Sequence, residues 1–483
     1  MSLGLVNAVT LKEMRQSVRG MFISILLTIT LIANGMFICS ELIFNNNIGL
    51  DFTIAQRLFS QIYFILMIGS FILIPAYIGN RFSSEISDKE SSLFFSTTLK
   101  PAEIVWGKFC SGAMLVVMFY CATLPFLVLL YFLRGLDVVK MLMTIFYSFI
   151  FSLLSIMFML AFNSDAAHPG IRRTKNAVGV ISLLFLSSSL GELYFFVNSD
   201  GASITTFVYW AKMLTYLGVE ILAGLMLFLI TVYKISPKFS NRALPIKIYT
   251  FIFWLLTGII ALAWSRSDAL TSRFSDIEPL GIWLPAMTIM FVVAMVMSAI
   301  EPNKLSKRVR AKISKKSFVK TFQYIFYSGC ASTFIFCGIM AILTIMVSGA
   351  LEAAGMPGTK ETMITIELSA MTLYGLMYGL TTITIKRHFF KDKPDTKIPA
   401  IITLILILLG TITPVLIAFY MFESLAPMNN LGWYVVGNPF IIFSKEWPIF
   451  KVLAFTSVFT IVLTAFNWKW FYTSFKEFHR PEN

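Results

Sequence analysis

The chain has 483 residues, 57% of them hydrophobic and only 13% charged, with 47 Phe and a formal net charge of +14. Soluble domains carry about 25% charged residues, so a water-soluble fold is excluded. Apolar runs of bilayer-spanning length recur along the sequence, and in lipid such runs must be helices, because only then does the backbone satisfy its own hydrogen bonds.

In chain order, residues 3–19 come first as an amphipathic segment. Leu3, Leu11, Met14 and Val18 share one helical face, interrupted by Asn7, while Lys12, Arg15 and Arg19 project from another. This pattern predicts a helix lying along the inner membrane surface. The apolar run that follows is too long for a signal peptide and lacks a small-residue cleavage site, so it is expected to stay as the first span. Twelve spans are predicted, at residues 21–44, 58–78, 109–132, 141–162, 177–197, 213–232, 248–264, 281–300, 322–347, 363–385, 398–421 and 449–471. The expected fold class is all-α, a polytopic integral membrane protein of about 12 transmembrane helices with an N-terminal amphipathic interfacial helix. It divides into that helix (1–20), a six-span bundle (21–247) and a second six-span bundle (248–483).

An N-terminus in the cytoplasm places 30 of the 39 Lys and Arg on the inner segments, the bias expected of inserted helices. Topology thus accounts for the basic excess and no nucleic-acid partner is implied. The C-terminus is also expected inside. All five Cys (Cys39, Cys110, Cys121, Cys330, Cys337) fall within predicted spans, without metal-ligand spacing. The three His (His168, His388, His479) lie on separate inner segments, and the sequence contains no HExxH, GxSxG or GxxxxGK[ST] motif. The chain is expected to bind no cofactor and to be no enzyme by itself. If ATP energises it, another chain binds the nucleotide.

Residues 81–108, RFSSEISDKESSLFFSTTLKPAEIVWGK, separate the second and third spans. Residues 83–95 suit a short surface helix, with Ile86, Leu93 and Phe94 as its apolar contacts and Glu85, Asp88, Lys89 and Glu90 left for a cytoplasmic partner. Thr97, Thr98 and Leu99 break the run. Pro101 then suits the first position of the next helix, and Glu103 in its first turn complements the helix dipole. Helix, break and a firmly started span make a short lever on a transmembrane helix.

At these residues the sequence resembles the permease subunits of type-2 ABC exporters. Their loop between spans two and three carries an acidic pair and a Leu-rich turn leading into Pro, Glu-Ile and Gly-Lys. The matching residues are Glu85, Glu90, Leu93, Leu99, Pro101, Glu103, Ile104, Gly107 and Lys108. The upstream LKEMRQSVRG resembles the membrane-surface helix of that family. Ser91-Ser92 stand where the family has Gly-Thr, and the chain has about twice the usual six spans. The resemblance spans roughly Val6 to Tyr131.

It implies a multi-pass permease in a bacterial cytoplasmic membrane. A separate ABC ATPase, holding ATP and Mg, would seat a coupling helix formed by Glu85, Ile86, Asp88, Glu90, Leu93, Pro101, Glu103 and Lys108. Whether one chain or a pair of copies makes the permease is open at this stage.

The segment 301–320 holds eight Lys and Arg. It is expected to fix topology and attract anionic lipid, at roughly 1 kcal/mol per basic residue near the surface; a second ATPase contact is the alternative. Glu220, well inside the sixth span, is the intramembrane charge candidate, since a carboxylate there is costly unless it faces protein or water. It supports the alternative of a twelve-span transporter driven by an ion gradient. Pro75, Pro125, Pro285 and Pro414 are expected to kink or loosen their spans, and the pair Gly375 and Gly379 to permit close helix contact. The substrate is not readable from the sequence.

Overall fold

A computed structural model describes residues 8–44, 53–87, 100–132, 137–165, 169–198, 207–237, 240–266, 279–301, 307–311, 313, 316–355, 364–390, 398–422, 436–439, 442 and 449–479. Every regular element among them is a helix. Ten helices are long and apolar enough to cross a membrane among the described residues. The chain divides into two compact units, Met1–Ser236 and Pro237–Asn483.

In the first unit the short helix α1 (Ala8–Arg19) leads into α2 (Met21–Phe44). The second span is one continuous rod, made of α3 (Thr53–Met67), a wide turn (Ile68–Leu73) and α4 (Ile74–Ser87). The wide turn, in which the Ile74 N–H reaches back to Gly69 O, directly precedes Pro75. A proline lacks an N–H and its ring crowds the carbonyl four residues back, so a loosened turn at this point is its natural accommodation. Gly69 is required there, because a Cβ would lie 2.1 Å from Cζ of Phe119. Then follow α5 (Pro101–Phe132), α6 (Val138–Asn163), α7 (Pro169–Asn198) and α8 (Phe207–Ile235).

The second unit contains α9 (Ala243–Ser265), α10 (Pro279–Ser298), the short α11 (Lys307–Arg310), α12 (Ser317–Phe326), α13 (Cys330–Ala353), α14 (Ile364–Phe389), α15 (Ile398–Phe422) and α16 (Ile449–His479). The predicted fifth and eleventh spans fall on α7 and α15. These are helical, but neither is among the ten.

The two units repeat one packing order. In the first, α6 is the central helix and lies against α3–α4, α5, α7 and α8, while α2 leans on α3 and α5. In the second, α14 is central and lies against α10, α13, α15 and α16, while α9 leans on α10 and α13. Among the described residues each unit thus has six long helices, with the fourth at the centre of the second, third, fifth and sixth. The small amphipathic helices match in space but not in sequence: α1 precedes the first long helix of its unit and packs on α5, whereas α12 precedes the third and packs on α13.

Each unit has its own apolar core. Phe82, Val105, Val116, Phe119, Ile156 and Leu160 are central in the first, and Leu284, Phe291, Met295, Cys337, Tyr374 and Leu380 in the second. Several polar side chains inside the first bundle are satisfied locally. Ser148, Ser152 and Ser155 of α6 each bond a carbonyl three or four residues back, Tyr120 donates to Ser148 at 3.0 Å and Ser152 to Ser70 at 3.1 Å. Large apolar residues such as Leu129, Phe185, Ile259 and Ile461 are exposed, a distribution that suits hydrocarbon surroundings and would be a liability in water.

Gly375 and Gly379 do allow close approach: a Cβ would lie 2.7 Å from Val292 Cγ2 at the first and 2.7 Å from Phe334 Cε2 at the second. Gly375→Leu is therefore expected to destabilise the second unit by about 1–3 kcal/mol through overpacking. Gly218→Leu, at a site with nothing within 4 Å, should change little; thermal unfolding of both variants in detergent compares them.

Candidate functional site

Four charged side chains from three helices meet at the end of the first unit where α4 stops and α5 starts. Helix α1 presents Val9, Glu13 and Ser17, and α4 presents Tyr77, Arg81 and Glu85, both sets at intervals of four residues and so on single helical faces. Lys108 of α5, only 3% exposed, sits between them. Its Nζ donates to Glu13 Oε1 at 2.8 Å and to Glu85 Oε2 at 2.6 Å, and lies 5.5 Å from the centre of the Phe82 ring. Arg81 Nε approaches Glu13 Oε2 at 3.4 Å and Glu85 Oε1 at 3.8 Å. The Arg81 guanidinium also donates to Gln16, and to Ser17 and Tyr77 at 3.2 Å each.

Two cations and two anions thus close a neutral clamp. The contact is tight because Gly107 carries no side chain: a Cβ there would lie 2.9 Å from Cβ of Val9. The stacked rings of Phe22 and Tyr77, with centroids 4.5 Å apart, extend the joint from α2 to α4.

This geometry changes what the expected coupling residues do. Glu85 is turned inward onto Lys108, and Lys108 is buried, so neither is a free docking charge. Residues 83–87 continue the rod of the second span instead of beginning a separate surface helix, since nothing before Ser87 breaks it. Ile86 packs beside the core of the first unit. Pro101 is the first residue of α5, and Glu103 lies in its first turn, where Oε2 accepts from the Lys100 N–H at 3.1 Å. Asp88, Lys89, Glu90 and Leu93 lie outside the described residues. On α1, Leu11 is exposed as expected of the lipid face, while a third face, Val9, Glu13 and Ser17, packs into the bundle.

Glu13, Gln16, Ser17 and Tyr77 are the residues that sequence reasoning missed. A local hint existed: the lone acidic residue of α1 lies four positions from both Val9 and Ser17. Its cationic partner, however, lies 95 residues away.

A second ionic joint, at the end of α6, links three helices. Asp165 receives Lys175 of α7 at 3.5 Å and Lys234 of α8 at 3.6 Å. In the second unit the corresponding junction is held by charge-to-backbone bonds. Lys247 of α9 donates to Ile325 O, Tyr327 O and Ser332 Oγ at 3.0, 2.7 and 2.9 Å. Glu301, just past α10, accepts from Gly329 N–H and Thr333 Oγ1 at 2.9 and 2.7 Å. Lys386 donates to Glu301 O at 3.0 Å and to Ala299 O. The layout of short helix, break and firmly started span is found here, at α12, residues 327–329 and α13.

Among the described residues no group of three or more Cys, His, Asp or Glu could hold a metal ion. The chain matches no family model, no curated protein and no solved structure.

Burial pushes the Glu13 carboxyl up, but the Lys108 charge and hydrogen bond, with the charges of Arg81 and Lys12, outweigh it and hold it below its ordinary 4.5. A depressed carboxyl contributes stability that is complete above its unfolded value and is lost as pH falls through its folded one. Native protein is therefore expected to lose thermal stability more steeply below pH 4.5 than Glu13→Gln does. Lys108→Met leaves the buried Glu13 and the half-buried Glu85 short of a cation and should cost about 3–5 kcal/mol. Adding Glu13→Gln should recover part of that loss, and strict additivity in the double-mutant cycle would deny the coupling.

Proposed function

We propose that the chain is the transmembrane permease of an ATP-driven exporter of the ABC type, moved by a separate cytoplasmic ATPase through the segment between α4 and α5. The observation that carries this reading is the buried four-charge clamp. It fuses α1, the end of α4 and the start of α5 into one body, and residues 88–99, which include the family-like Glu90, Leu93 and Leu99, lie in sequence between two members of that body. A push on residues 88–99 would then reach the second and third spans together, because breaking the clamp would strand the buried Lys108 and Glu13 charges. The clamp end faces the cytoplasm in this reading, in keeping with the Lys and Arg distribution, and the membrane is a bacterial cytoplasmic membrane.

The repeated packing order supports one chain as a complete two-bundle permease, with segment 301–320 at the equivalent junction of the second unit as a further contact for the motor. ATP and Mg would be bound by the ATPase alone. The alternative, an ion-gradient-driven transporter, draws its support from the buried carboxylate Glu220.

Gentle purification of the full chain from its native membrane is expected to bring a nucleotide-hydrolysing subunit along, two copies per chain. The reversal Asp88→Lys with Glu90→Lys should release that subunit and leave the permease's own unfolding temperature unchanged. Active transport by the chain with nothing attached, or full retention of the ATPase by the double reversal, would count against the reading.

A further inference from the structure

Glu220 lies on α8, 13 residues after Phe207 and 15 before Ile235. At 1.5 Å per residue it is roughly 20 Å from either end, the middle of a hydrocarbon layer about 30 Å thick. Three contacts fix its surroundings. Tyr147 of α6 packs with Tyr209 and Met213 of α8, Leu154 of α6 faces Gly224 of α8 at 3.7 Å from an added Cβ, and Lys234 of α8 donates to Ala161 O of α6 at 2.8 Å. The two helices therefore run parallel and side by side, and Glu220 falls level with the stretch between Tyr147 and Leu154. It is 8% exposed, and its Oε2 has no hydrogen-bond partner.

The charged and titratable groups around it are few. Tyr147 stands within electrostatic reach on α6, whose other ionisable side chain, Lys140, is at its far start. Between Lys108 and its end, α5, which also packs on α8, carries Cys110, Tyr120, Cys121 and Tyr131 and no charge. On α8 itself Tyr216, one turn before Glu220, is neutral and 44% exposed, and Lys212 is eight residues away, roughly 12 Å along the axis. Tyr233 lies near the far end, and Lys234 is engaged at Ala161 and Asp165. Among the described residues no cation is seen paired with the carboxylate.

We propose that Glu220 is a proton-binding site inside the first bundle, loaded from the end of the bundle opposite the clamp. An ionised carboxylate at mid-membrane, with a buried oxygen that has no hydrogen-bond partner, is several kcal/mol too costly to persist, so something positive must bind. A metal ion would need several oxygen ligands, and no ligating cluster exists among the described residues. An organic cation would need room, and Leu154 against Gly224 with the Tyr147–Met213 contact closes the α6–α8 seam on both sides of the carboxyl. A proton needs neither.

The route is marked by polar groups at successive depths. Asp137 caps the start of α6, Tyr209 lies near Asp137, Lys212 is buried one turn further in, and Tyr147 stands beside Glu220. Towards the clamp end, the same face of α8 offers Gly224, Leu227 and Thr231, and the Thr231 hydroxyl is bonded to Leu227 O of its own helix. The proton comes from water and returns to it, with no other bond made or broken. The inference stands whichever source of energy drives transport.

Infrared difference spectra of the full chain in lipid nanodiscs, native minus Glu220→Gln, test it. The carbonyl band of a protonated carboxyl is expected at neutral pH, shifting in deuterated buffer and vanishing at alkaline pH. No such band would overturn the proposal, as would a band that neither exchanges nor titrates, which marks a sealed structural acid. Treating native protein with a hydrophobic carbodiimide, which attacks protonated carboxyls in apolar surroundings, checks the site without a variant. An adduct mapped to Glu220 by mass spectrometry is expected; a missing adduct together with a missing band would sink it.

Discussion

Lys108 is the residue on which the junction of the first bundle closes. A single ammonium, almost fully removed from solvent, is shared by a carboxylate from α1 and one from the end of α4. Ion pairs on a surface contribute little, but a buried pair cannot lose one member without stranding the other charge in a low dielectric. With Arg81 completing the balance of charge, three chain segments far apart in sequence behave as one piece. The absent side chain at Gly107 is what lets α1 come close enough for this. An amphipathic helix that would otherwise ride on the membrane surface is thereby tied to the mechanical core of the bundle.

The repeat of packing order gives the clamp its context. Each unit surrounds its fourth long helix with the second, third, fifth and sixth, and closes the junction before its third with buried charge. The solutions differ. The first unit uses side-chain ion pairs, whereas the second uses Lys247 and Glu301 to satisfy the loose carbonyls and N–H groups where α12 breaks and α13 begins. The second thereby gives partners to backbone groups freed at a helix break inside a bundle, whereas the first ties three helices together through side chains alone. The equivalence belongs to shape and neighbour relations, with residues at matching points, such as Glu220, present in one unit only.

Much of the architecture was legible in the sequence because the bilayer imposes it. Span-length apolar runs, Pro101 at a helix start and Glu103 in its first turn are local signals, and the structure has helices there. So is the Gly375–Gly379 pair, whose missing side chains admit Val292 and Phe334. The clamp was only half visible. Arg81 and Glu85 are four apart and pair along one helix, but Glu13 answers to Lys108 across 95 residues, and no local pattern announces such a meeting. Reading Glu85 as an outward charge failed for that reason: an acidic residue after a span looks solvated until its buried cation is located. The packing repeat was hidden because the spans share one apolar composition, and contacts such as Gly258 against Trp283 decide neighbours by shape.

The most direct test of the rigid handle is a pair of distances in the working complex. Spin labels at Leu11 of α1 and Met114 of α5, both exposed, report the clamp, and labels at Leu11 and Phe185 of α7 report movement of the handle against the bundle. Pulsed electron resonance, with the ATPase nucleotide-free and then trapped with nucleotide, should show the first distance narrow and constant and the second displaced. A first distance that broadens or shifts with nucleotide, or a second that never moves, would contradict the account.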